Sequence, residues 1–462
     1  MSSVGAAAAQ QDTPVSKRGI WGWIFFDWAT QPFHTLIFTF VFAPYFAAYV
    51  APDPAKGQEL WGLATGIGGL LIAFTSPVLG AIADAVGPRK PFIFAFSVIG
   101  VIACAALWFA TPGMENMTLI LVAVALGVFG MEYAAVFNNA MMPYLVPRSE
   151  LGRLSGSAWG FGYVGGLLSL VLVLGFMSAP PDATHTLLGF EPILGLDPAQ
   201  HEGDRASGPL TALWYVVFVL PMFLFTPDQP RNHISGAVGT ALRHLWQTLR
   251  TLPKQRSYFS FLMSSMLYRD ALNALYAFGG IYAAGVLNWT IVQIGIFGIV
   301  AALTGAVGAW LGGLADKAFG PKAVVTGSAI ILILCCLLVI STTDDEIFFM
   351  EVGAKSTLPT LAFYIAGAFI GAAGGSIQAS SRTLLVDQVP RERVTEAFGL
   401  FALSGKATSF IGPLSIAAMT AWMTSQAFSP ETAQRVGVAP ILALFVISLV
   451  LLPFVRGEEG SA

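Results

Sequence analysis

Twelve stretches of roughly 20 apolar residues, the length that a bilayer core demands of a helix, follow one another along the chain. They lie near 20–50, 59–83, 91–111, 117–143, 153–178 and 209–227, then, after a break, near 257–286, 290–315, 321–341, 357–386, 396–422 and 438–455. With 55% hydrophobic and 11% charged residues, the 462-residue chain cannot cover a soluble globule with polar surface, so lipid must serve as part of its solvent. The expectation is an all-α membrane protein with 12 transmembrane helices in two six-helix bundles.

The two halves are copies of one unit. Gly80-Ala-Ile-Ala-Asp84-Ala-Val-Gly87-Pro-Arg89-Lys90 returns as Gly312-Gly-Leu-Ala-Asp316-Lys-Ala-Phe-Gly320-Pro-Lys322, each copy closing an apolar run. The offset is 232 residues from Gly80 to Gly312 and 233 from Gly87 to Gly320, because Phe319 is inserted. Internal symmetry of this kind in an apolar chain marks transporter folds.

Charge sets the orientation. Of the 23 lysines and arginines, Arg269, Arg382 and Lys406 lie inside spans. A cytoplasmic N-terminus leaves only Lys56, Arg205, Lys355 and Arg435 outside and puts the other sixteen on the cytoplasmic side. Residues 1–18 then form a cytoplasmic tail, 19–227 the N-terminal bundle, 228–256 a basic cytoplasmic linker, 257–456 the C-terminal bundle and 457–462 a second cytoplasmic tail. The first apolar run is too long for a signal core and reads as a retained span. Within the linker, Leu242, Leu245, Trp246 and Leu249 recur at helical spacing, which fits either an amphipathic helix on the anionic leaflet or a partly helical solvated linker. The outer loop 179–208 is Pro-rich and expected to be irregular. Cys104, Cys335 and Cys336 fall in apolar runs and read as small packing residues.

Six charged residues sit well inside spans: Asp27, Glu132, Arg269, Asp270, Arg382 and Lys406. Each costs about 2.5 to 3.5 kcal/mol at a helix centre on insertion scales, so each should face protein or water. All but Lys406, on the eleventh span, lie on spans one, four, seven and ten, the equivalent positions of a three-helix repeat. One helix from each triplet would then surround a shared polar cavity. Helical spacing groups Asp27, Gln31 and His34 in one stripe, Glu132 with Asn139, Asp270 with Asn273, and Gln378 with Arg382. Bland readings stand beside these: His34 as a packed histidine, Arg382 snorkelling to water, Lys406 pairing with a carboxylate. Arg269 and Asp270 are neighbours that point about 100° apart on a helix; Asp270 is the better lining candidate and Arg269 reads as its structural partner. Glycines of the second span (Gly62, Gly66, Gly69), the fifth (Gly152, Gly156, Gly160) and the eighth (Gly298, Gly305, Gly308, Gly312) allow close helix contact.

The segment 80–90 resembles the Gly-x-x-x-Asp-x-x-Gly-x-Arg-Lys signature of the major facilitator superfamily, and 312–322 resembles its weaker second copy. That resemblance implies two six-helix bundles related by a pseudo-twofold axis, each built of inverted three-helix repeats. It also implies a conformational latch at Gly80, Asp84, Gly87, Arg89 and Lys90, with a counterpart at Gly312, Asp316, Gly320 and Lys322 that lacks the paired Arg-Lys. More narrowly, Trp23-Ile-Phe-Phe-Asp27-Trp28-Ala29, Gln378-Ala-Ser-Ser381-Arg382, Ala397-Phe398-Gly399-Leu-Phe-Ala-Leu-Ser404-Gly405-Lys406 and Gly412-Pro413 are similar to motifs of the vacuolar amino-acid effluxer-like branch and its bacterial UMF relatives. Phe26 replaces the branch's usual Tyr, and Arg269-Asp270-Ala271 stands where relatives tend to have Asp-Gly.

The expected function is secondary active transport of a small polar solute, an amino acid or similar zwitterion, with efflux and proton coupling implied. Asp27, Glu132 and Asp270 would take a cationic group or the proton, and Arg382 and Lys406 an anionic one. The rivals are a sugar, drug or organic-anion carrier and, further off, a transporter-like sensor. The loops hold no catalytic constellation, so the chain does not read as an enzyme, and no metal site or cofactor is expected. The partners are the solute, protons and the lipid bilayer, without nucleic acid, for a monomer in a bacterial inner membrane with both termini cytoplasmic.

Overall fold

The computed structural model describes residues 15–457 apart from 53, 181–182, 231–236, 288, 290, 354–355 and 409–410. Its helices follow the apolar runs: α1 Lys17–Pro32, α2 Pro54–Val86, α3 Lys90–Ala106, α4 Thr118–Met141, α5 Leu151–Leu172 and α6 Ser207–Phe225. A linker helix, Ala237–Thr251, leads into α7 Arg256–Val286, α8 Ile291–Phe319, α9 Pro321–Ile340, α10 Leu358–Val386, α11 Val394–Ala407 with its continuation Ile411–Ser425, and α12 Ala439–Leu451. Among the described residues, ten helical segments are long and apolar enough to cross a membrane. The other two of the twelve are α7, which carries Arg269 and Asp270, and the divided eleventh span.

The helix boundaries have local causes. Ser16 caps α1 by accepting the Gly19 N–H at 3.2 Å. The Asp228 carboxylate caps α3, accepting the N–H groups of Arg89 (2.8 Å) and Lys90 (3.0 Å) where the helix dipole is positive. Gly87 and Gly320, at φ 105° and 79°, make the left-handed turns that close the two repeated segments, a backbone conformation that favours glycine.

Within α1, Pro32 cannot donate to the carbonyl four residues back, and the indole of Trp214 takes that place, donating to Trp28 O at 3.1 Å. Beyond Pro32 the first span widens into π-helix over Phe33–Phe40 and again over Phe46–Val50. Such widening shifts the side-chain register by a residue.

The chain forms two compact units. One comprises Met1–Gly68, Val86–Leu154 and Gly165–Ile234, the other Gly69–Ala85, Ser155–Val164 and Ser235–Ala462. In the first, Trp28 stacks on Trp214 with ring centroids 5.8 Å apart, and the Trp23 indole donates to Asn138 O at 2.7 Å, fastening α1 to α6 and α4. In the second, α8 and α10 run in the same direction backbone against backbone. A Cβ at Gly308 would collide with the Ala372 backbone, one at Gly371 with Ala301 O and one at Gly375 with Gly305 O. Gly156 and Gly160 of α5 abut α8 in the same way, at Ala309–Gly313 and Ala306. The glycines of the second span differ from expectation: no described atom lies within 4 Å of a Cβ built on Gly62 or Gly66, and it is Gly68 that meets α4, at Ala125 and Val128.

The described part of the loop before α6, expected to be irregular, contains short helical turns at Ile193–Gly195, Pro198–Gln200 and Glu202–Arg205. Asp204 accepts from Ser178 Oγ at 2.5 Å and lies 2.9 Å from His201 Nδ1, so a side-chain network pins it. Between α9 and α10 a two-residue hairpin, β1 Glu346–Ile347 and β2 Met350–Glu351, pairs antiparallel with Glu346 opposite Glu351. Arg435 bridges to Glu346 at 3.2 Å, which neutralises part of that acidic loop. All three cysteines are buried and free.

Candidate functional site

In the first unit, Asp27 and Gln31 lie half-buried on α1, and Glu132 and Asn139 half-buried on α4. The Trp23–Asn138 hydrogen bond holds these two helices together next to Asn139. The Gln31 stem packs against Gly166 of α5, where a Cβ would approach it to 2.7 Å. His34 differs from its helical neighbours: it falls in the π-helical stretch and is exposed, and the spacing that groups it with Asp27 does not carry through that wider turn.

In the second unit, α7 and the eleventh span meet around the adjacent pair Arg269–Asp270. Arg269 donates to Phe401 O at 2.8 Å, and its guanidinium lies over the Phe401 ring at 4.2 Å. Gly405 leaves room for it, since a Cβ there would meet the guanidinium at 2.5 Å. Asp270 turns the other way and is 1% exposed. The Thr408 hydroxyl and the Arg269 charge face its carboxylate, yet neither oxygen has a described partner in hydrogen-bonding geometry. Asn273 is exposed, so the two residues share a helix but not an environment. Of Lys406, one residue past Gly405, the side chain lies outside the described residues.

The α5–α10 contact in this unit is built from Ser155, Trp159 and Tyr163, spaced four apart, against Arg382 and Gln378. Arg382, 4% exposed, donates from Nε to Ser155 Oγ at 2.9 Å and from a terminal nitrogen to Ser155 O at 2.8 Å, and lies 5.3 Å from the Trp159 ring centroid. Ser155 Oγ in turn donates to Ala379 O at 2.7 Å. The guanidinium is therefore a buried fastener of α5 to α10 rather than a group snorkelling to water. One turn away, Gln378 Nε2 reaches the Tyr163 hydroxyl at 3.4 Å, and Tyr163 bonds Tyr276 of α7. A polar cluster thus joins three helices.

The two repeated segments have different surroundings, both within the second unit where their aspartates lie. Gly80 brings α2 against Thr395 O, which a Cβ would approach to 2.6 Å, and Asp84 accepts the N–H groups of Thr395 (3.2 Å) and Glu396 (2.8 Å) in the first turn of α11. Ser76 Oγ donates to Gly399 O at 2.7 Å one turn deeper. In the second copy, Gly312 meets the Ser376 side chain of α10. Asp316, 6% exposed, faces the hydroxyls of Ser380 and Thr383 rather than a helix terminus. Lys322 is half-buried near Gly457, and in the first unit Arg89 lies 5.7 Å from the Tyr144 ring centroid.

Sequence reasoning passed over Ser155, Trp159, Tyr163, Tyr276, Ser380, Thr383 and Thr408. The four-residue spacing of Ser155, Trp159 and Tyr163 was the available signal, a polar-aromatic stripe opposite Gln378 and Arg382.

Comparison with known proteins agrees with this architecture. A bacterial relative, the uncharacterized MFS-type transporter YxiO of Bacillus subtilis, is 25% identical over 446 residues, covering 95% of each chain. Autophagy-related protein 22 of Yarrowia lipolytica is 19% identical over 300 residues, 60% of this chain and 47% of that one. Solved structures share the fold. The major facilitator transporter FucP in its outward conformation superposes with a TM-score of 0.66 at 17% identity over 94% of this chain and 98% of that one. The human organic anion transporter MFSD10 does so with a TM-score of 0.67 at 14% identity over 95% and 100%. The family model described as vacuole effluxer Atg22 like matches residues 61–462. The chain is thus a membrane-embedded, multi-pass transporter of the major facilitator superfamily and belongs to its Atg22-like family.

Proposed function

We propose that this transporter carries an amino acid or a similar zwitterion outward by alternating access, with proton coupling. The observation that carries the reading is Asp270, a carboxylate enclosed within the transmembrane region beside the fixed positive charge of Arg269. A charge held there is costly unless function requires it. Asp27 and Glu132, half-buried on α1 and α4, are the further acidic positions, able to take an ammonium group or a proton. Arg382 is engaged by Ser155 and Trp159 and Arg269 by Phe401, so the cationic side of the site falls to Lys406. The effluxer description of the family supports the direction. Asp84, bonded to the first turn of α11, serves as the conformational latch, and both termini face the cytoplasm, as the distribution of basic residues favours.

The test is counterflow and uptake of labelled amino acids by the purified full chain in proteoliposomes, with and without an imposed pH gradient. Flux that ignores the gradient would remove the proton, and no flux for any amino acid alongside movement of a sugar or organic anion would replace the substrate class. Asp270→Asn should lower flux about tenfold or more, the loss expected when a charge-assisted contact to a bound solute disappears.

A further inference from the structure

Asp316 is enclosed like Asp270 but has no arginine beside it in sequence. It is 6% exposed, both carboxylate oxygens lack a partner in hydrogen-bonding geometry, and among the described residues it makes no salt bridge. Two hydroxyls of α10 face it, those of Ser380 (0% exposed) and Thr383 (4% exposed), and each is itself without a partner in hydrogen-bonding geometry. The negative charge of Asp387, just past α10, acts on the same point. Lys317 is adjacent in sequence but exposed, and Lys322 is half-buried at the start of α9. Three oxygen-bearing side chains, all enclosed, therefore converge, and apart from these two hydroxyls no described donor reaches the carboxylate.

An ionised carboxylate left in this way is expensive, and chemistry offers two remedies: a proton on the carboxyl group, or a hard cation that takes carboxylate and hydroxyl oxygens as ligands. Both are small cations. One turn away α8 and α10 are closely packed: a Cβ on Gly312 would approach the Ser376 side chain to 2.8 Å, and Ser376 Oγ donates to Gly308 O at 2.6 Å. We propose that Asp316, with the hydroxyls of Ser380 and Thr383, is a binding site for a small cation, H⁺ or Na⁺, on α8 and α10, separate from the solute-binding region around Asp270. The site rests on the transporter reading only for its purpose, which is to couple ion and solute movement.

The experiment is difference infrared spectroscopy on the full chain in lipid, recorded on exchanging choline chloride for NaCl at fixed pH and on changing pH in choline chloride. A sodium site gives loss of a carboxylic-acid C=O band, or a perturbed carboxylate band, that saturates with NaCl. A proton site gives an acid band that titrates with pH and ignores NaCl. In either case the signal is absent from Asp316→Asn. The double variant Ser380→Ala/Thr383→Val keeps the carboxylate and should shift the titration midpoint about tenfold, the effect of losing one or two hydroxyl contacts. Identical spectra for wild type, Asp316→Asn and the double variant would overturn the site. No transported solute enters the measurement, so that outcome would leave the transporter reading standing.

Discussion

The two copies of the Gly-x-x-x-Asp segment share a sequence pattern and differ in their surroundings. In the first, Asp84 meets two backbone N–H groups at the start of α11, and Gly80 sets the distance. In the second, Asp316 meets only side-chain hydroxyls of α10, and Gly312 rests on a serine side chain. An aspartate bonded to main-chain donors is satisfied as long as the two helices stay together and loses both bonds when they part. One facing hydroxyls depends instead on what it binds. Position in a repeat therefore does not fix role; the groups opposite do.

Three tests probe these surroundings, in decreasing order of effect. Gly80→Val places branched carbon against the main chain of Thr395, whose carbonyl oxygen a Cβ would approach to 2.6 Å, so it should abolish solute flux in proteoliposomes; Gly312→Val, which meets the Ser376 side chain first at 2.8 Å, should retain more flux. Equal loss in both would erase the distinction between the copies. Next, Asp84→Asn removes a charge from the positive end of α11, a loss of about 1 kcal/mol. It should raise the labelling rate of a single cysteine introduced near Thr395 severalfold without altering any cation-dependent infrared signal, whereas Asp316→Asn should do the reverse. Last, Arg393→Ala breaks a 2.6 Å pair with Glu396 whose arginine is 37% exposed. The Glu396 side chain is only 6% exposed, so removing the arginine leaves an enclosed carboxylate unpaired at a cost of about 1 to 3 kcal/mol, and the melting temperature should fall by a few degrees.

Much of the architecture was legible because the bilayer imposes it. The placing of the helices follows from the apolar runs. Polar side chains were harder to read. Periodicity places Asp27, Gln31 and His34 on one stripe only if the helix stays α, and the missing N–H of Pro32 precedes a stretch that does not. Spacing grouped Gln378 with Arg382 correctly as neighbours on α10, but not what lies opposite them. Ser155, Trp159 and Tyr163 are 215 to 227 residues away in sequence from the groups they meet, so spacing shows each stripe but not that the two stripes meet. Arg269 and Asp270 were separable because adjacent residues diverge on a helix, and one has gone to Phe401 while the other lies buried near Thr408.

The close seam of α8 and α10 has a practical use. With Gly308, Gly371 and Gly375 each backed by main chain of the opposite helix, neither helix can slide past its neighbour without steric collision. Paired spectroscopic labels at the exposed Leu303 and Phe369 would consequently serve as an internal ruler of constant length. Against that ruler, distances measured elsewhere in the molecule can be assigned to motion rather than to loosening of the fold.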